Sequence, residues 1–146
     1  MNILILCTGN SCRSQMARAF LQSFDKSIRV RSAGTDPEKS VSPMAVKVMA
    51  EIGIDISNEK PKSVSQYLNE AWEYVITVCD NARETCPYFP GEVKNQLHMG
   101  FDDPAAVRGT EDFIRQEFFR VRDEIKTVFY RFYSEEIRSL KNKQNI

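Results

Sequence analysis

Histidine is all but missing from this chain, and so is net charge. With His98 as the single histidine, no cysteine–histidine nucleophile pair is required and a protease-like triad has little support. His98 reads instead as a structural residue near the end of a strand. Twenty basic and twenty acidic residues cancel, so no global field recruits nucleic acid or a membrane surface, and any anion must be captured locally. No apolar run approaches the length of a membrane span, and no basic segment followed by a long apolar core opens the chain, so a signal peptide is not expected. Repeats, low-complexity tracts and linkers are also missing. The 146 residues then fit one domain, expected over residues 1–140, with a frayed tail over residues 141–146. Four cysteines without an export signal point to a reducing cytoplasm, where catalytic or redox roles outweigh structural ones. Neither Cys7 with Cys12 nor Cys79 with Cys86 has the spacing of a zinc site, and no metal or organic cofactor is expected.

What is present concentrates in Cys7-Thr8-Gly9-Asn10-Ser11-Cys12-Arg13-Ser14. The stretch follows the apolar run Ile3-Leu4-Ile5-Leu6 and precedes a helical pattern. Cys7 is thus expected at the carboxyl end of a strand, beneath a helix N-terminus whose free N–H groups favour an anion and a thiolate together. Arg13 can fork onto two oxygens of a tetrahedral oxyanion. Gly9 frees the backbone to curl around it, Asn10 tolerates a positive φ, and Ser14 can donate to the sulfur. An oxyanion cradle over Thr8, Gly9, Asn10, Ser11, Cys12 and Arg13 is expected, with Cys7 as nucleophile. The alternative, Cys7 as an ordinary buried thiol, fits poorly with such polar neighbours.

Apolar residues at helical spacing follow the loop (Met16, Ala17, Phe20, Leu21, Phe24), and Ile28-Arg29-Val30-Arg31-Ser32 alternates as a strand stopping at Ala33-Gly34. Ser42-Pro43 opens a helix whose buried stripe is Ala45, Val48, Met49 and Ile52, capped by Gly53. A short helix is expected over residues 64–69, strands over residues 74–78 and 96–99, and a last helix from Thr110 with the stripe Ile114, Phe118, Val121, Ile125, Val128 and Phe132. Trp72, Tyr74 and Tyr88 read as core or rim aromatics. Strands alternating with helices predict an α/β three-layer sandwich: a central four-stranded parallel sheet with helices on both faces. Ligands bind beyond the carboxyl ends of such strands, where Cys7 and Cys79 both fall.

Two further groups carry chemistry. In Cys79-Asp80-Asn81-Ala82-Arg83-Glu84-Thr85-Cys86-Pro87, helical winding would hold the two cysteines about 10 Å apart. A disulfide needs α-carbons within roughly 7 Å, so pairing them requires the segment to bend or unwind. That suits a redox switch better than a structural bridge. In Gly100-Phe101-Asp102-Asp103-Pro104 the acids read as an ordinary turn or, at Asp103, as a proton donor aimed by the following proline.

Residues 7–17, Cys-Thr-Gly-Asn-Ser-Cys-Arg-Ser-Gln-Met-Ala, resemble the thioredoxin-coupled arsenate reductases, which share the low-molecular-weight protein tyrosine phosphatase fold. The likeness continues through Ser32-Ala33-Gly34, Gly53-Ile54-Asp55-Ile56-Ser57, the segment from Cys79 to Pro87, Gly100-Phe101-Asp102-Asp103-Pro104-Ala105 and Val121-Arg122-Asp123-Glu124-Ile125. The resemblance implies that Cys7 attacks arsenate held by the loop and Arg13 while Asp103 protonates the leaving oxygen. It further implies that Cys79 attacks Cys7, that Cys86 then attacks Cys79, and that thioredoxin reduces the final disulfide. The resemblance also implies a monomer whose loop can hold phosphate or sulfate. Related enzymes often carry a glutamate of a potassium site where this chain has Arg18; potassium activation is not expected, and Arg18 is read as added positive potential near the anion. Cys12 is read as a bystander thiol open to oxidation. Two alternatives stand beside the reductase: a tyrosine or small-molecule phosphatase using Cys7, Arg13 and Asp103 alone, and a non-enzymatic thiol protein for arsenite or soft metals. The pair Ala105-Ala106 after Asp103-Pro104, where tyrosine phosphatases of this fold typically carry aromatics, weighs against the first; the anion loop weighs against the second.

Overall fold

The computed structural model describes residues 1–144, in which strands and helices alternate. Strands β1 (Asn2–Cys7), β2 (Arg29–Gly34), β3 (Trp72–Thr77) and β4 (Val93–His98) form one parallel sheet in the order β2-β1-β3-β4. Ile3 lies beside Val30 and Tyr74, and Leu6 beside Ala33 and Thr77. Ile3, Leu4, Ile5 and Leu6 are fully buried, as an interior parallel strand covered on both faces must be. Each contributes about 1.5–3 kcal/mol by leaving water.

The two faces are covered unequally. Ile3, Ile5, Val30 and Ile76 pack with residues of α1 (Arg13–Phe24), α2 (Pro43–Ala50) and α4 (Glu111–Phe132). Leu4, Leu6, Ala33 and Val75 cluster with Val64, Tyr67, Trp72 and Phe89, from a 3-10 turn (Val64–Gln66) and its flank, the start of β3 and the chain beyond α3 (Asp80–Thr85), with Leu68, Cys86 and Val93 partly buried at the edge. Helix starts follow the side chains that can accept free amides. Ser42 Oγ accepts from the Ala45 amide at 3.3 Å and Thr110 Oγ1 from that of Phe113 at 3.1 Å, while Gly53 takes φ 81° after α2.

Several sequence expectations shift. The helix expected over residues 64–69 is a single 3-10 turn ending at Gln66, because Tyr67 leaves the helical region with φ −119°. β2 runs on through Ala33-Gly34, and β4 begins three residues earlier than expected, at Val93. Polar residues on this edge strand hid its alternation. Ile52 is 37% exposed, since α2 ends at Ala50 before its stripe completes. In α4 it is Phe129, not Val128, that is fully buried. Tyr88 is 84% exposed, neither core nor rim.

The tail expected to fray from Lys141 is instead helical. A π turn (Tyr133–Ile137) continues α4 and leads into α5 (Arg138–Gln144); residues 145 and 146 lie outside those described. Lys141 Nζ donates to Asp25 Oδ2 at 2.6 Å and the Tyr133 hydroxyl donates to the same oxygen at 2.9 Å. Burial raises the Asp25 carboxyl, but donation from Lys141, Ser27 and Tyr133 outweighs it and holds the group well below the usual carboxylate range. A carboxyl depressed on folding stabilises fully above its unfolded value of about 4, and loses that contribution as pH falls toward the folded one. Lys141→Met is therefore expected to cost about 1–3 kcal/mol near neutral pH and distinctly less near pH 2. Urea unfolding of both proteins at the two pH values checks this; an equal gap at both would assign Lys141 to packing alone.

Candidate active site

The strand order reverses between β1 and β3, one leading outward to β2 and the other to β4. The crevice at such a switch point opens at the carboxyl ends of the strands, and it is here that β1 delivers Cys7 and that Cys79 follows β3. A cavity of about 400 Å³ lies above them, lined by Cys7, Gly9, Cys12, Arg13, Asn81 and Asp103 among others.

The loop from Cys7 to Cys12 is shaped by where its carbonyls go. Those of Cys7, Thr8 and Gly9 accept from the amides of Thr35, Asp36 and Glu38 at 3.1, 2.9 and 2.9 Å, and that of Ser11 accepts from Ser42 at 2.8 Å. Asn10 O accepts from Gln15 Nε2 at 3.0 Å. A planar trans peptide points its N–H opposite to its C=O, so the amides of Thr8 through Cys12 turn away from these partners. The Thr8 amide reaches the Cys7 sulfur and stabilises its anion. The turn needs a left-handed residue, and Asn10 supplies it at φ 52°. Its buried side chain is fixed by Nδ2 donating to Ser14 Oγ at 2.8 Å and Oδ1 accepting from the Lys62 amide at 2.9 Å. Gly34 permits the close approach of β2, since a Cβ there would stand 2.4 Å from Thr8 O. Gly9 is not in a left-handed conformation; its lack of a side chain leaves room for Glu38, whose Cγ would lie 3.0 Å from a Cβ.

Ser14 makes no hydrogen bond to Cys7: its hydroxyl faces Asn10 instead. Arg18 is also not at the anion site. Its Nη2 lies 3.5 Å from Glu59 Oε1, and it lines a separate pocket with Arg31, Ser32, Lys60 and Lys62.

Cys7, Cys12, Cys79 and Cys86 are all reduced. Cys7 and Cys79 are coupled in their titration. Cys79 is lowered to about 5, by its coupling to Cys7 first, then against burial by the Thr8 hydroxyl, the Ala82 amide and Arg13. Cys7 is raised by the same coupling and by burial, against the pull of Arg13 and the Thr8 amide. The Thr8 hydroxyl accepts from Asn81 Nδ2 at 2.9 Å, which leaves its own proton for Cys79 Sγ at 3.3 Å. Cys79 caps α3, its sulfur accepting from the Ala82 amide at 3.4 Å. Cys86 closes the same helix, its thiol raised by burial. Cys12 is buried and pushed up to about 12, chiefly by that burial and next by Asp103. A protonated, buried thiol reacts slowly with oxidants, and Cys12 reaches solvent only through the cavity it lines.

Arg13 Nη1 donates to Phe101 O at 2.9 Å and Nη2 stands 3.6 Å from Asp103 Oδ2. The Asp103 side chain accepts from the Ala105 amide at 3.0 Å, and Pro104 follows in a 3-10 turn (Pro104–Ala106). The structure thus brings Cys7, Arg13 and Asp103 to one cavity, with Cys79 beside Thr8 on the same sheet edge and Cys86 one helix length further on. Sequence reasoning missed Asp36, Glu38 and Asn81 on its wall. Their signal was positional: Asp36 and Glu38 follow the end of β2 on the same sheet edge, and Asn81 follows Cys79.

A family described as low molecular weight phosphotyrosine protein phosphatase matches residues 2–145, and the chain belongs to it. The arsenate reductase of Bacillus subtilis (strain 168) is 47% identical over 125 residues, covering 84% of this chain and 88% of that protein. A solved structure described as an arsenate reductase in the phosphate binding state superposes with a TM-score of 0.73 at 25% identity, covering 92% of this chain and 97% of that one. The tyrosine phosphatase Wzb from Escherichia coli K30, in complex with sulphate, shares the fold at a TM-score of 0.73 and 17% identity, over 92% of this chain and 96% of its own.

One thiolate per chain is expected to titrate near 5 by ultraviolet thiolate absorbance, and Cys7→Ala should move that midpoint upward by removing the neighbour whose coupling lowers Cys79 most. An unmoved midpoint would place the thiolate elsewhere.

Proposed function

We propose that the protein is an arsenate reductase in which Cys7, Cys79 and Cys86 pass electrons in sequence to arsenic. The observation that carries this reading is the second sulfur. Cys79 follows β3 on the sheet edge that carries Cys7, its sulfur 3.3 Å from the Thr8 hydroxyl and accepting from the Ala82 amide at 3.4 Å, a thiolate-favouring shell that a phosphatase reaction does not use. The 47% identity to an arsenate reductase supports it.

Arsenate enters the amide cradle and Arg13 turns its guanidinium onto two oxygens. Cys7 gives its proton to water, and its thiolate, stabilised by the Thr8 amide and Arg13, attacks arsenic. An oxygen leaves as water with a proton from Asp103. Cys79 is favoured as a thiolate by the Thr8 hydroxyl, the Ala82 amide and Arg13. Cys79 attacks the Cys7 sulfur; the S–As bonding pair goes to arsenic, which departs as arsenite, reduced by two electrons. The Cys86 thiolate then attacks Cys79, returning Cys7 as a thiolate and leaving the disulfide between Cys79 and Cys86 for a dithiol reductant of the thioredoxin kind. A cytoplasmic setting suits thiols that must stay reduced between turnovers; among the described residues no helix is long and apolar enough to cross a membrane.

A second reading, phosphate-ester hydrolysis, is favoured by the family match and needs only Cys7, Arg13 and Asp103. The two separate cleanly. Cys79→Ser and Cys86→Ser should each abolish multiple turnover of arsenate with thioredoxin, thioredoxin reductase and NADPH, while leaving p-nitrophenyl phosphate hydrolysis within about twofold. If both variants still cycle arsenate, the relay is wrong. Asp103→Asn should lower kcat by about a hundredfold in both reactions with phosphate affinity retained, since only proton donation is lost; unchanged kinetics would leave Asp103 as a turn residue.

A further inference from the structure

Helix α3, which separates Cys79 from Cys86, is tied to the sheet mainly at its Cys79 end. His98, the last residue of β4, lies between two partners: its Nδ1 is 2.8 Å from Thr77 Oγ1 and its Nε2 is 3.0 Å from Asp80 Oδ1. Thr77 closes β3 and Asp80 opens α3, so one imidazole spans the two residues flanking Val78 and Cys79. The ring is sheltered, with 21% of its side chain exposed. The tie does not depend on the charge of the ring. Neutral, Nε2–H donates to Asp80 while Nδ1 accepts the Thr77 hydroxyl proton; protonated, both nitrogens donate and the hydroxyl turns to Leu97 O, 3.5 Å away. Gly100 closes over the pair, since a Cβ there would stand 3.1 Å from His98 Nε2 and 3.6 Å from Asp80 Oδ1. On the same half of the helix, Ala82 is fully buried in the core.

The Cys86 end is held loosely. Thr85 Oγ1 meets Thr35 Oγ1 at 3.4 Å on the exposed surface, and the Cys86 thiol reaches only its neighbour's carbonyl, Pro87 O, at 3.8 Å. Arg83 bonds inward along the helix, 3.9 Å from Asp80 Oδ1. Beneath this end lies a cavity of about 220 Å³ lined by Thr77, Arg83, Cys86, Leu97 and His98. A water in the liquid occupies about 30 Å³, so the cavity has room for a side chain that leaves its helical place.

We infer that His98 is a positioning residue for the thiol relay: by joining Asp80 to Thr77 it keeps the Cys79 end of α3 wound while the Cys86 end unwinds toward it. This rests on the reductase reading above. Cys79 must present its sulfur first to Cys7 and then to Cys86. Each exchange needs in-line approach to a sulfur whose position is defined. A helix free at both ends would lose the Ala82 amide on Cys79 in the motion that brings Cys86 in. One fixed end and one loose end avoid that.

The test is a single turnover with arsenate, quenched in acid, with the three cysteines alkylated and each disulfide counted by mass. His98→Ala should slow disulfide formation about fivefold, a size set by one hydrogen bond to an exposed carboxylate. His98→Gln, whose amide nitrogen can still donate to Asp80, should recover most of the loss. Hydrolysis of p-nitrophenyl phosphate, which uses neither Cys79 nor Cys86, should stay within about twofold in both. If His98→Ala does not fold, Gly100→Ala crowds the same bond from outside and should slow the disulfide step likewise. Wild-type disulfide rates in the variant that folds would overturn the role of His98, and so would an equal loss in ester hydrolysis, which marks a general structural defect. A wild-type protein that forms no disulfide with arsenate would instead sink the reductase reading, and this inference with it.

Discussion

Five consecutive carbonyls, from Cys7 to Ser11, are all bonded away from the active-site cavity, and the chemistry of the protein depends on that constraint. Four of them are held by backbone amides of residues 35–42 and one by the side chain of Gln15. Apart from Arg13, the arrangement asks no side chain to find an anion; the peptide planes have already been turned. The other features follow as requirements of the strap. Asn10 must accept a left-handed backbone, Gly34 must lack a Cβ, and the Lys62 amide must hold the Asn10 side chain. Preorganised amides do not reorganise as charge develops, which is why such a cradle stabilises a transition state more than water does.

Much of this was legible in the chain, and the reasons differ by element. β1 and β3 are runs of residues that suit a strand buried on both faces, and no other placement hides Ile3 to Leu6 from water. Ser42 and Thr110 announced their helices because a hydroxyl at the N-cap has one good use there. Cys7 and Arg13 were readable since their spacing only makes sense around an anion. β4 was harder, because an edge strand with four exposed residues in a row shows no alternation. Ser14 and Arg18 were misplaced for a related reason. Residues on the first turns of α1 point to several sides, and what each meets is decided by chain that arrives from residues 59 to 62, a long way off in sequence. The order of α5 was invisible for the same cause: a polar tail looks frayed until Asp25 is known to await Lys141.

The family contains proteins named for two chemistries, and the structure indicates how little separates them. Cys7, Arg13 and Asp103 occupy one cavity and suffice for an ester. The additional sulfurs sit at the two ends of a six-residue helix: Cys79 is anchored in the larger core, while the half-buried Cys86 lies on the thinly covered side of the sheet, where with Phe89 it completes a small cluster. That side has few buried apolar neighbours, so local opening there leaves the larger core of α1, α2 and α4 intact. A redox function can thus be carried by a part of the molecule whose rearrangement costs little of the whole.

A cradle made of peptide N–H groups has a consequence for choice among ions. It senses the outline of a tetrahedron and its negative charge, and arsenate, phosphate and sulfate present nearly the same outline. Outline and charge alone therefore do not set arsenate apart at capture. On the proposed relay, discrimination falls later: arsenic bonded to Cys7 keeps the electron pair when Cys79 strikes the sulfur, whereas a phosphorus adduct would hydrolyse. Substrate choice would then rest on reducibility and not on fit.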